Sequence, residues 1–160
     1  PGHIDSLLLR SDGSQAGLLW ANGPCSPAMA GLADEVRVIM DGRSVFRSAV
    51  NALAETSAEA VARAGRTIDD IALCVPHQAN RRIITAMADR VGMPMERVYV
   101  NVDRYGNTSS ATIPIALAEA EAEGRLKPGD RVLLAAFGGG LSWSAMVLEW
   151  AGVRASCAGT

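Results

Sequence analysis

Ile71-Ala72-Leu73-Cys74-Val75-Pro76-His77-Gln78-Ala79-Asn80-Arg81-Arg82-Ile83 holds an apolar run, a proline stop, a polar turn and the start of a helix in one short stretch. A segment as uniformly apolar as Ile71 to Val75 suits a strand covered on both faces, because neither side of such a strand meets water. Pro76 has no backbone donor and ends the run. From about Asn80 to Val91 the apolar residues return at helical spacing. A buried strand that feeds a helix is the building unit of a sheet with helices packed on its faces.

The unit recurs on both sides of this stretch. Downstream lie a strand at Val98-Tyr99-Val100, a helix from about Thr108 to Glu123 and a strand from Val132 to Ala136. After Gly138-Gly139-Gly140, the alternating stretch Leu141 to Trp150 is placed to pair antiparallel with its predecessor. Upstream, Val45, Phe46, Ala49, Val50, Leu53, Ala54, Ala60 and Val61 mostly recur every three or four residues, which marks one face of a long helix that starts after Asp41-Gly42 and that Gly65 can close. Ile4 to Leu9 reads as an opening strand and Val36 to Met40 as a short extended run. Between them, Asp12 to Asp34 reads as an irregular crossing, with Gly23-Pro24 and Ser26-Pro27 as turn-formers. The predicted fold class is α/β: one mixed, mostly parallel sheet, covered by helices and antiparallel at one edge. No repeat, low-complexity tract or linker divides it, and residues 151–160 form a tail without periodicity.

Composition narrows the function classes. A chain of 160 residues holds one domain of typical size, and 49% hydrophobic against 20% charged residues favours a packed core over disorder. The formal net charge of -2 supplies no basic field, so nucleic acid is not an expected partner. Apolar runs such as Ile113 to Leu117 fall far short of the ~20 residues that cross a bilayer, so no membrane partner is expected. Cys25, Cys74 and Cys157 are an odd set without a CxxC pair, which predicts neither a disulfide framework nor a metal knuckle and fits a cytoplasmic location. Pro1 leads straight into a strand, which suggests a piece of something longer.

Ligands of open α/β sheets collect at the carboxyl ends of strands. Three such places carry polar or glycine-rich residues: Pro76 to Asn80, Asp103 to Ser109, and Phe137 to Gly140. His77 stands where a strand becomes a helix, a setting that serves acid-base work or simple packing and capping. Asn107, ahead of a helix, is by itself a cap; beside His77 it becomes the second donor to a carbonyl oxygen gaining negative charge. The three glycines make either a tight turn between paired strands or a backbone able to approach a substrate oxygen. None of the cysteines has the setting of a nucleophile: Cys74 lies inside a buried strand, Cys157 in the tail, and Cys25 in a Pro-flanked loop.

Taken in order, Pro76-His77-Gln78-Ala79-Asn80-Arg81-Arg82-Ile83, Gly106-Asn107-Thr108-Ser109-Ser110-Ala111 and Ala136-Phe137-Gly138-Gly139-Gly140-Leu141-Ser142-Trp143 resemble the C-terminal motifs of the β-ketoacyl-acyl carrier protein synthase III family. The resemblance runs from about Met40 to Trp150, and the opening strand resembles the end of that family's N-terminal half. It implies a thiolase-like half: residues 1–40 as the end of the N-terminal half and a crossing, 41–150 as the C-terminal half, and 151–160 as a tail. By the same resemblance His77 and Asn107 are catalytic and Gly139 is the oxyanion-hole backbone donor. The resemblance also implies that Arg82 docks the carrier protein and that Gly42, Phe46 and Asn80 line the pantetheine tunnel; core packing is the other reading of Phe46, and a solvated helix arginine that of Arg82. The implied reaction takes an acyl group from acyl-CoA onto a Cys outside this chain and condenses it with malonyl-acyl carrier protein. The implied partners are a Cys-bearing N-terminal half, acyl carrier protein, acyl-CoA and a second copy in a homodimer; no cofactor or metal is implied. An acyltransferase of specialised metabolism and a non-catalytic interaction or dimerisation domain remain the alternatives.

Overall fold

The computed structural model describes residues 2–22 and 37–152. Cys25 and Cys157, the turn-formers Gly23-Pro24 and Ser26-Pro27, and all but the first two residues of the expected tail lie outside the described residues.

Strand β1 (Ile4–Ser11) opens the chain and is followed by a 3-10 turn, Gly13–Leu18, and a short strand β2 (Leu19–Asn22). Strand β3 (Arg37–Met40) pairs antiparallel with β2, Leu19 opposite Met40. The expected crossing therefore contains a strand. Helix α1 (Gly42–Arg63) starts where Asp41 accepts the Ser44 backbone N–H at 3.1 Å and the Ser44 hydroxyl at 2.8 Å. It ends where Gly65, at φ +66, lets the N–H groups of Gly65 and Arg66 turn back to the carbonyls of Ala62 and Val61. Its buried face carries Val45, Ala49, Val50, Leu53, Ala54, Ala60 and Val61, the stripe the periodicity predicts, with Phe46 partly buried beside it.

Strand β4 (Leu73–Pro76) is buried along its whole length. Helix α2 (Arg81–Val91), the short helix α3 (Val102–Tyr105), helix α4 (Thr112–Ala122), and strands β5 (Arg131–Gly138) and β6 (Ser142–Glu149) complete the fold. The sheet order is β1-β6-β5-β4. β4 and β5 run parallel, while β5–β6 and β6–β1 are antiparallel. The sheet is mixed as expected, but two of its three strand pairings, those on the β1 side, are antiparallel, and the parallel part is confined to β4–β5. The stretch Val98–Val100 adds only one parallel bridge, Val98 to Cys74, with Tyr99 N–H on the Cys74 carbonyl at 2.8 Å. A 3-10 turn at Met95–Arg97 runs directly into it and leaves little length to pair.

Alternation along the strands separates two cores. Cys74, Leu133, Ala135, Ala145 and Val147 join Leu8 and the buried faces of α1 and α2. Leu73, Val75 and Val132 face the other way, onto Tyr99, Ala116, Ala120 and Leu126. Helices α1 and α2 thus cover one face and α4 the other, which explains why β4 has no polar residue to alternate. Toward β1 the α4 side is open: Leu7 and Leu9 are exposed, as are Val38 and Met40 of β3. Among the described residues no helix is long and apolar enough to cross a membrane.

Candidate active site

His77 leaves the sheet at the end of β4 while its own N–H donates to the Ala135 carbonyl of β5 at 2.7 Å, so its backbone is fixed by the parallel register. Its ring is half-buried, with Nδ1 2.6 Å from the Thr112 hydroxyl at the start of α4. Burial disfavours the imidazolium and lowers the pKa below the ordinary imidazole value, which leaves a neutral ring at neutral pH. Asn107 follows α3 and Gly106. Its Oδ1 accepts the Ser109 N–H at 2.9 Å in an Asx turn, and its Nδ2 has no hydrogen-bond partner among the described residues. The side chain does not cap α4, whose N-cap is Ala111. His77 and Asn107 line one cleft of about 1060 Å³, walled also by Phe137, Gly138, Trp143 and Asn80.

The glycine segment forms the connection between β5 and β6. Gly138 lines the cleft, and at its neighbour Gly139 an added Cβ would lie 3.5 Å from the Leu19 carbonyl oxygen. Gly140 has φ +132, and a Cβ there would meet the Ser142 hydroxyl at 2.7 Å, so this position requires glycine. The turn is fastened to the end of β1 by reciprocal backbone bonds between Asp12 and Leu141, and Phe137 and Trp143 stack across it with ring centres 6.4 Å apart.

Gly42, Phe46, Asn80 and Arg82 come together along a second groove, of about 610 Å³, which Arg43 and Arg81 also line. Met40, Val45, Asn80 and Ile83 belong to both, so the groove opens into the cleft. Arg82 lies over the Phe46 ring, its guanidinium carbon 5.4 Å from the ring centre, and Phe46 also packs on the core. Asn80 caps α2 through the Ile83 N–H at 2.9 Å. Cys74 is fully buried, and burial pushes its thiol up to about 12, far from a nucleophile's range.

Sequence reasoning missed the polar supports behind the cleft. Gln78, 1% exposed, donates to the carbonyls of Pro76 (2.8 Å) and Tyr99 (3.2 Å) and accepts the Asn101 N–H at 2.9 Å. Asn101 Nδ2 donates to Glu119 of α4 at 2.7 Å, and Glu119 also accepts from Arg104 at 3.0 Å and from the Tyr105 hydroxyl. The Asn101 amide, then the Tyr105 hydroxyl, hold the Glu119 carboxyl below the usual carboxylate range. This network ties the end of β4, which carries His77, to the segment that leads into Asn107. One sequence signal was available for Thr112: Pro114 fits only the first turn of a helix, which dates the start of α4 to Thr112 and leaves Ser109–Ala111 as a 3-10 turn.

The model of the 3-oxoacyl-[acyl-carrier-protein] synthase III C-terminal family matches residues 61–150. The chain belongs to that family. It is 51% identical over 154 residues to the β-ketoacyl-[acyl-carrier-protein] synthase III of Roseiflexus sp. (strain RS-1), covering 94% of this chain and 47% of the relative. To the synthase III of Nitratidesulfovibrio vulgaris (strain DSM 19637 / Miyazaki F) it is 49% identical, covering 92% of this chain and 46% of that protein. The crystal structure of synthase III from Thermus thermophilus superimposes with a TM-score of 0.83 at 49% identity, covering 94% of this chain and 47% of that one. The chain thus spans about half the length of the synthase III relatives it matches. Its fold is that of this part of those enzymes, thiolase-like as the three motifs imply.

Proposed function

We propose that this chain supplies the carbonyl-binding side of a synthase III condensing site, completed by a Cys-bearing half that covers the exposed Leu7, Leu9, Val38 and Met40 beside the cleft. The observation that carries the reading is the meeting of His77 and Asn107 on one cleft wall, each with a ring or amide edge left for a ligand. In the reaction, the Cys thiolate takes the acyl group from acyl-CoA and releases CoA thiolate. Malonyl-acyl carrier protein then loses carbon dioxide, and the electron pair left behind forms an enolate. Donors from His77 Nε2 and Asn107 Nδ2 stabilise that oxygen. The enolate carbon attacks the acyl carbonyl, Gly139 N–H supports the resulting oxyanion, and collapse expels the Cys thiolate. Dividing a hard condensation into capture and attack is the use of the covalent step.

The second groove supports the substrate side of this reading. Gly42, Phe46 and Asn80 form a passage to the cleft suited to a pantetheine arm, and Arg43, Arg81 and Arg82, which line the same groove, suit the acidic surface and phosphate of a carrier protein. A priming β-ketosynthase of the R1128 polyketide pathway, 35% identical with a TM-score of 0.81, favours a polyketide-priming variant of the same chemistry.

The test is reconstitution with a Cys-bearing N-terminal half of a synthase III, read as acyl-enzyme by intact mass and as β-ketoacyl-carrier product. His77→Ala and Asn107→Ala should permit acylation and abolish decarboxylative condensation. Undiminished condensation in both variants refutes the reading.

A further inference from the structure

Thr112 is the one residue from α4 that touches His77 by a hydrogen bond, and it is 2% exposed. A buried hydroxyl must find its partner inside the protein. Two acceptors stand within reach of its single proton: His77 Nδ1 at 2.6 Å and the Ser109 carbonyl at 3.0 Å. Bonds donated by N–H to oxygen span about 2.7–3.2 Å. The 2.6 Å contact is short for a bond donated by the ring N–H to the Thr112 oxygen, which favours the hydroxyl as the donor. The Ser109 carbonyl lies farther off, at the long end of the roughly 2.5–3.0 Å that a hydroxyl bond to oxygen spans, and belongs to an exposed residue.

We propose that Thr112 is a positioning residue that donates its hydroxyl proton to His77 Nδ1 and thereby holds the ring as its Nε2–H tautomer toward the cleft. A neutral imidazole carries one N–H, so a nitrogen that accepts forces the proton onto the other. Thr112 is well placed for this. It is the first residue of α4, two positions before Pro114, and the helix is anchored by buried Ala116 and Ala120. Its β-branched side chain has few rotamers to choose from. The importance of an Nε2–H donor for the enolate rests on the preceding reading; the tautomer itself does not.

The experiment labels the protein carrying this chain with 15N-histidine and finds the His77 ring signals by their absence from His77→Gln. Long-range proton–nitrogen correlations above the imidazole titration then show which nitrogen bears hydrogen. Nε2–H is expected in the wild type and in Thr112→Ser, and a loss of that single pattern, to a mixture or to Nδ1–H, in Thr112→Val. Nδ1–H in the wild type overturns the proposal, as does unchanged Nε2–H in Thr112→Val. If Thr112→Val does not fold, the wild type and Thr112→Ser still decide, because Nδ1–H in either is refutation. No substrate is needed, so a protein that fails to condense while its tautomer obeys Thr112 removes the functional reading and leaves this one standing. Condensation without the expected tautomer does the reverse.

Discussion

Replacing Gln78 by alanine removes three hydrogen bonds at once: two given to the Pro76 and Tyr99 carbonyls and one received from the Asn101 N–H. At about 1 kcal/mol each these bonds sum to about 3 kcal/mol, and a buried N–H left unpaired raises its own share toward about 1–3 kcal/mol. Asn101 is itself only 2% exposed, so water cannot take over easily. A total loss of about 3–5 kcal/mol follows, a large part of the roughly 5–15 kcal/mol that holds a typical domain together. Urea unfolding followed by far-ultraviolet circular dichroism measures it, with an unchanged denaturant slope as the condition for reading the midpoint as stability. Gln78→Glu sharpens the test. It keeps the acceptor for Asn101 but sets a carboxyl oxygen against two carbonyls, which disfavours the charged form. The folded pKa is then raised, so stability is complete below the unfolded value of about 4.3 and is lost as pH rises through the folded one. A loss under about 1 kcal/mol in Gln78→Ala, or a pH-independent Gln78→Glu, refutes the claim that this side chain clamps the two strand-end segments together.

His77, lowered by burial, should make the fold weaker as pH falls below about 6.5, since the unfolded ring binds a proton that the folded one resists; His77→Gln should remove that slope in a pH series of unfolding midpoints. Gly140→Ala forces a Cβ to 2.7 Å from the Ser142 hydroxyl at φ +132 and should cost more than about 1 kcal/mol in thermal unfolding. Gly17→Ala, where an added Cβ meets nothing within 4 Å, should be tolerated far better. Cys74, its thiol pushed up to about 12, should resist iodoacetamide at pH 8 in the native protein and react only in denaturant, as read by peptide mass mapping.

The parts of this fold that sequence revealed are those whose signal is local. α1 shows its buried stripe and its closing Gly65, α2 begins at the Asn80 cap, and β4 is recognisable because both of its faces are covered. β2 was hidden for the opposite reason: Leu19–Asn22 is a short, poorly covered strand set among turn-formers, and only pairing with β3 makes it one. Val98–Val100 has a strand's composition but room for one bridge. At the site, the meeting of His77 and Asn107 on one cleft was legible because each lies downstream of an inner extended segment, Leu73–Pro76 or Val98–Val100, although α3 stands between the second segment and Asn107. Thr112, Asn101 and Glu119 were not, since a buried polar network exists only once distant segments have met, and nothing in Glu119's helical surroundings marks it as the residue that fastens α3.

Trp143 has one more property that follows from where it sits. Its indole N–H is held by the Thr56 hydroxyl at 3.0 Å while the ring forms part of the cleft wall. Trp150 is fastened elsewhere, to Glu121, and Trp20 lies in β2. With those two changed to phenylalanine, this chain would keep one tryptophan, at the cleft wall. Entry of a ligand would then register as a change of colour and intensity from the molecule itself, with no dye and no turnover.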